Sequence, residues 1–207
     1  TSEGDFHEAM NFAANLDIPV IFFCQNNQWA ISVPGRIQCS APTVAQRGMA
    51  YGMDCLRCDG NDLFAVVHCM KQAIASGRDN NRPTFIEAVT YRLGDHTTAD
   101  DARRYRDADE VELWKARDPI SRIKNYMKSR KIWDDTKQAK LDEEADEAVS
   151  SAVRRAEGIE APSKEDIFNW MFAELPESLA LQRDTMRTSS IGQDPSQIEA
   201  VESSAQA

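Results

Sequence analysis

Four consecutive amides, Gln25, Asn26, Asn27 and Gln28, follow directly on an unbroken apolar run at residues 20–24. Amide carbonyl oxygens are hard, neutral donors suited to Mg²⁺ or Ca²⁺, and amide NH₂ groups can hold a phosphate oxygen. The apolar run reads as a parallel strand covered on both faces. Ligands in open α/β sheets sit just beyond the carboxyl ends of such strands. Amides after a strand also make ordinary turns, so spacing alone leaves both readings open. A second polar concentration, residues 93–109 (LGDHTTADDARRYRDAD), packs His96 among Asp and Arg with no apolar period. Ordered loops of this length are usually functional or mobile. An imidazole titrates near neutrality and can donate to a phosphate oxygen or shuttle a proton, although a histidine in a polar loop is more often merely exposed. Arg92, Arg104, Tyr105 and Arg106 are placed to order this loop against Asp95, Asp100 and Asp101, or else form a surface charge network worth little.

These two stretches need elements to position them. Ser2, with Asp5 three residues on, predicts a helix start, and Phe6, Met10, Ala13 and Leu16 mark its apolar face. Asp17, Ile18 and Pro19 turn the chain into the strand that carries the amides. Residues 29–33 read as extended, 43–50 as a short helix and 53–59 as a second strand. Asp62 caps a helix expected to run to Ser76, with Phe64, Val67, Met70 and Ile74 facing inward and Gly77 as its stop. Residues 84–91 make a third strand. This alternation predicts an α/β fold with a doubly wound parallel sheet. Helices are expected over 109–117, 119–129, 134–157 and from Ser163 to a stop at Leu175 and Pro176, giving a helical C-terminal region. Beyond about Arg187 the Ser, Gln, Ala and acid content predicts a disordered tail.

Composition narrows the class. The net charge of −10 argues against general affinity for nucleic acid or an anionic membrane surface. Apolar runs fall far short of a membrane span, and the first residues lack the basic and apolar regions of a signal peptide. Five cysteines in core-like segments suggest reduced thiols in a reducing compartment. The Cys55-x-x-Cys58 pair lies within a strand and has no partner pair nearby, which disfavours a redox or zinc role. The chain opens on Thr1 within a helix start, so it reads as the later part of a longer protein.

Three segments, taken together and in order, resemble the alpha subunit of the thiamine-diphosphate-dependent 2-oxo acid dehydrogenases of the pyruvate and branched-chain type. They are SEGDFHEAMNFAA leading into FFCQNNQWAIS, then LRCDGNDLFAV, then YRLGDHTTADDARRYR followed by DPISRIKNYM. The likeness runs from Thr1 to about Leu181. It implies a thiamine-diphosphate-binding fold, incomplete at its N-terminus, over residues 1–107, a helical region over 108–186 and a tail over 187–207. It implies Asn27 (side-chain oxygen) and Trp29 (main-chain carbonyl) as Mg²⁺ ligands, with the acidic ligand of a Gly-Asp-Gly half ahead of Thr1. Gln25 and Ala30 flank the cofactor, although Gln25 lacks the charge of the arginine found there in some relatives. The resemblance makes His96 catalytic, reaching the cofactor and assisting acyl transfer. It further implies oxidative decarboxylation of a 2-oxo acid, with acyl transfer to the lipoyl domain of an acyltransferase component. A beta subunit completes the site in a heterotetramer of two alpha and two beta chains. Pyruvate is the expected substrate, from the likeness of residues 132–179 to bacterial pyruvate-type subunits. The alternatives are a branched-chain 2-oxo acid, or a non-catalytic α/β assembly fragment. The location implied is the bacterial cytoplasm, or the mitochondrial matrix in a eukaryote.

Overall fold

The computed structural model describes residues 1–188. In chain order it holds α1 (Gly4–Asn15), β1 (Ile21–Asn26), β2 (Trp29–Ala30), β3 (Val33–Pro34), α2 (Gly35–Gln38), α3 (Gln46–Ala50) and β4 (Asp54–Asp59). There follow α4 (Leu63–Asn80), β5 (Thr84–Val89), a 3₁₀ turn (Ala102–Arg104), α5 (Ala108–Lys115), α6 (Pro119–Ser129), α7 (Asp135–Glu157), α8 (Asp166–Asn169) and α9 (Glu177–Thr188). Strands β1, β5 and β4 form a parallel sheet in that spatial order, and β2 with β3 form a small antiparallel hairpin. The α/β class with a parallel sheet is thus present.

The middle strand β5 is buried along Thr84, Phe85, Ile86, Glu87 and Ala88, because helices cover both sheet faces. Alternation along the strand sends Phe85 to one face, where it meets Met10 of α1, Ala45 and Met53. Ile86 goes to the other face and meets Cys69 and Ala73 of α4. Phe6, Phe22 and Phe85 pack edge to face at 6.1–6.4 Å between centroids, fixing α1 over the sheet.

Several local expectations are corrected. Glu3, not Ser2, stands at the N-cap of α1 and makes no side-chain cap bond; Ser2 Oγ donates to Gln38 Oε1 instead. Asp62 does cap α4, accepting from the N–H groups of Phe64 and Ala65. The helix runs past Gly77 to Asn80 and ends on Asn81 in the left-handed conformation (φ 52°). Its inner face is Cys69, Ala73 and Gly77, while Phe64, Val67 and Ile74 are exposed. Small residues at i and i+4, Cys69 and Ala73, let the helix axis approach the sheet closely, and that spacing outweighs the larger apolar stripe.

By its contacts the chain divides into a unit of Thr1–Ala139, which includes α5 and α6, and a unit from Lys140 onward. In the first, Trp114 of α5 stacks on Tyr91 (5.3 Å, 10°) and Tyr126 of α6 meets Phe64 edge to face. In the second, the helix expected from Ser163 is a single turn, α8. Pro176 then opens α9, a helix the apolar pattern did not suggest, and Arg187 reaches from it to Glu165. Residues 187 and 188 of the expected tail belong to α9, and 189–207 lie outside the described residues. Among the described residues no helix is long and apolar enough to cross a membrane.

Candidate functional site

At the carboxyl end of β1 the amides form two nested turns. The Gln28 N–H donates to Asn26 Oδ1 and the Trp29 N–H donates to Asn27 Oδ1, both at 3.1 Å. Each is an Asx turn, in which the side chain stands in for a backbone carbonyl. The bend puts Gln28 at φ 67° and Ile31 at φ 53°, a region that side chains with a Cβ rarely adopt and β-branched ones least of all. Three bonds hold Gln28 there: the one to Asn26, Nε2 to the Thr90 carbonyl (2.9 Å), and its own carbonyl accepting from the Gly35 N–H (2.7 Å). The segment just past β5 fixes the strand side of the turn, because the Thr90 and Arg92 N–H groups donate to the carbonyls of Asn26 and Asn27.

The loop after β5 is tied into a knot and joined to this turn. Arg92 Nη2 donates to the Ile31 carbonyl (2.9 Å) and to the Tyr105 hydroxyl (2.8 Å), and the Tyr105 ring lies 5.5 Å from Trp29. Tyr105 in turn donates to Asp100 Oδ2 (2.5 Å), which also accepts the His96 N–H (2.8 Å). Arg106 donates to the carbonyls of Arg92, Leu93 and Gly94. Asp95 accepts from the Ala102 N–H, and Arg103 rather than Arg104 pairs with Asp101. Of the expected pairings, Tyr105 does meet Asp100, whereas Arg92 and Arg106 bond to backbone carbonyls in place of aspartates. Asp100 is held below its ordinary value by the Tyr105 hydroxyl first and the His96 N–H second.

A cavity of about 660 Å³ opens beside the turn, lined by Asn26, Gln28, Trp29, Arg57, Glu87 and Tyr105 among others. Trp29 therefore faces the cavity, whereas Gln25, Asn27, Ala30 and His96 are not part of its lining. Asn27 is half-buried, and Gln25, Ala30 and His96 are exposed. The structure brings Asn27 and the Trp29 backbone into one turn and ties the His96 loop to that turn through Tyr105 and Arg92. Asn27 Oδ1 accepts one N–H and keeps a second lone pair for a cation. A neutral amide oxygen is the kind of donor a hard cation takes, and here the contact from Trp29 to it is made by the backbone N–H. Among the described residues, no group of three or more His, Cys, Asp or Glu side chains could hold a metal.

Sequence reasoning missed Glu87. Its side chain is 1% exposed, yet it accepts from Asn26 Nδ2 (2.8 Å) and the Ala45 N–H (2.9 Å) and lies 3.5 Å from Arg57 Nε. A lone carboxylate within the apolar run TFIEAV was the available signal, since an unpaired charge does not survive there. Other polar groups are structural. Arg122 of α6 clamps Asp59 and Asp62, and His7 Nδ1 shares a hydrogen bond with the Tyr51 hydroxyl. Burial raises both thiols of the CxxC, and Cys58 reaches about 11 with help from Cys69, so neither is poised as a nucleophile.

Comparison with known proteins gives a consistent result. The profile of the family described as "Dehydrogenase E1 component" matches residues 1–165. The chain is 44% identical over 189 residues to the 3-methyl-2-oxobutanoate dehydrogenase subunit alpha of Mycobacterium tuberculosis (strain H37Rv), covering 90% of this chain and 51% of that one. It is 41% identical over 186 residues to the mitochondrial 2-oxoisovalerate dehydrogenase subunit alpha of Bos taurus, covering 89% and 41%. The Caenorhabditis elegans protein of the same name is 44% identical over 186 residues, covering 89% and 43%. The chain spans about half the length, or less, of these curated relatives.

Proposed function

The chain belongs to the dehydrogenase E1 component family, and on that premise we propose that it is part of the alpha subunit of a branched-chain 2-oxo acid dehydrogenase. Relatives named for 3-methyl-2-oxobutanoate and 2-oxoisovalerate support this substrate class over the pyruvate expected from residues 132–179. In this proposal residues 1–107 contribute to the cofactor-binding domain and 108–186 form the helical region. A beta subunit and the lipoyl domain of an acyltransferase are its partners. The relatives include a bacterial protein and mitochondrial ones, so either the cytoplasm or the mitochondrial matrix fits the proposal.

The observation that carries the reading is the turn in which Asn27 Oδ1 and the Trp29 backbone come together past the end of β1. There Asn27 Oδ1 and the Trp29 carbonyl would hold Mg²⁺, whose remaining positions go to diphosphate oxygens and to an acidic ligand from elsewhere in the whole protein. Thiamine diphosphate, when bound, supplies the carbanion chemistry by which a 2-oxo acid loses carbon dioxide. This chain's residues do the rest. Gln25 and Ala30 border the diphosphate with amide and backbone groups. The knot of Arg92, Asp100 and Tyr105 holds the His96 backbone, leaving its imidazole exposed to donate to a phosphate oxygen or to protonate the thiolate released when the lipoyl disulfide opens and its other sulfur takes the acyl group.

The test is turnover by the full-length subunit assembled with its beta partner. Decarboxylation of 3-methyl-2-oxobutanoate is expected to exceed that of pyruvate by at least about tenfold in kcat/KM, the discrimination an apolar pocket gives for added methyl groups. Preference for pyruvate would overturn the substrate assignment. Absence of turnover with either would favour an assembly role.

A further inference from the structure

We propose that Glu87 is the positioning residue of the metal-holding turn, acting through Asn26. The inference rests on the reading of Asn27 and Trp29 as metal ligands. Glu87 is the only charged side chain among the buried residues described, and it sits on the central strand directly across from Arg57 of β4 and Cys24 of β1. A carboxylate in that place needs donors from several sides, and it has them: Asn26 Nδ2 on Oε1, the Ala45 N–H on Oε2, and the Arg57 guanidinium beyond.

The consequence for the turn follows from the shape of an amide. The two ends of the Asn26 side chain are nearly alike in size, so only its partners decide which end points where. Glu87 accepts and does not donate, so it draws Nδ2 toward itself and leaves Oδ1 facing the Gln28 N–H. That bond helps hold Gln28 at φ 67°, from which the backbone carries on to Trp29, whose N–H reaches Asn27 Oδ1. With the amide reversed, Nδ2 would face the Gln28 N–H, two donors would meet, and the bend that brings the Trp29 backbone N–H to Asn27 Oδ1 would lose its support. Glu87 lies one side chain behind these oxygens and fixes the orientation of the residue that shapes them.

The polarity of this pair can be exchanged. In Glu87→Gln, the new amide oxygen can keep the Ala45 N–H, but its NH₂ then meets Asn26 Nδ2 and favours the reversed amide. Adding Asn26→Asp restores complementarity. The introduced amide donates to the introduced carboxylate and still accepts from Ala45, and the other carboxylate oxygen accepts from Gln28. The experiment measures Mg²⁺ affinity at saturating thiamine diphosphate in the full-length subunit with its beta partner, by calorimetry, for the parent, Glu87→Gln and the double exchange. Glu87→Gln should raise the Mg²⁺ dissociation constant by about 10–100-fold, the usual effect of removing a group that orients a ligand. The double exchange should return it to within about threefold of the parent, the scatter expected of such cycles. Parent-like affinity in Glu87→Gln, or a double exchange no better than the single, would overturn the proposal. Should Glu87→Gln fail to fold, Asn26→Ala carries the same test, since it leaves Glu87 bonded to Ala45 and Arg57; unchanged affinity there would likewise overturn it. Asn27→Ala separates the two levels: if it leaves Mg²⁺ affinity intact, the metal reading itself falls. If it weakens binding while Glu87→Gln does not, only the positioning role falls.

Discussion

Asp100 joins the histidine loop to the amide turn, accepting from Tyr105 and from the His96 N–H while Arg92 bridges Tyr105 to Ile31. Its folded pKa lies below the ordinary 3.8, so in the acid range the folded loop binds fewer protons than the unfolded chain. The contribution of these bonds is fully present above that ordinary value and is lost as pH falls through the depressed one. Removing the hydroxyl with Tyr105→Phe should raise the Asp100 pKa back toward the ordinary value, as followed by NMR titration of its carboxyl carbon. An unmoved pKa would show that the Tyr105 bond is not what holds it down. Residue types alone pointed to this loop, and they named its Asp and Arg members. They did not give the pairing, because whether Arg106 meets a carboxylate or three carbonyls depends on how the backbone folds past Leu93.

At the scale of elements, α3 and α4 use glycine in opposite ways. Gly48 of α3 presses on the sheet: a Cβ there would stand 2.7 Å from Cys55 Sγ and 2.8 Å from Phe85 Cβ. Gly77 of α4 has room, since its Cβ would stand 3.5 Å from Pro19 Cβ in ordinary contact. Gly77→Ala should therefore stabilise the fold by about 0.5–1 kcal/mol through helix propensity. Gly48→Ala should destabilise it by about 1–3 kcal/mol through overpacking. Urea denaturation measures both, and equal effects would contradict the packing described. The reversed face of α4 shows what periodicity leaves out. The moment of large side chains pointed outward along Phe64, Val67 and Ile74, whereas the packing against β4 and β5 is made by Cys69 and Ala73. Strand order β1-β5-β4 was likewise not readable, but the parallel alternation and the cap at Asp62 were.

For the whole chain, the net charge of −10 argues against general affinity for nucleic acid, and residues 1–165 match the dehydrogenase E1 component family. The apolar run and its four amides were legible because strand, turn and donor chemistry coincide in adjacent residues. Glu87 was not, because its task depends on register across three strands, which a linear reading does not supply. The central claim is that the turn holding Asn27 and Trp29 grips the metal that carries the diphosphate. Its most direct test is Mn²⁺ binding in place of Mg²⁺, read by EPR at saturating thiamine diphosphate, in the full-length subunit with its beta partner. Asn27→Ala is expected to weaken binding by about 100-fold or more, at or above the upper end of what the loss of a supporting group costs. Binding equal to that of the parent would contradict the claim.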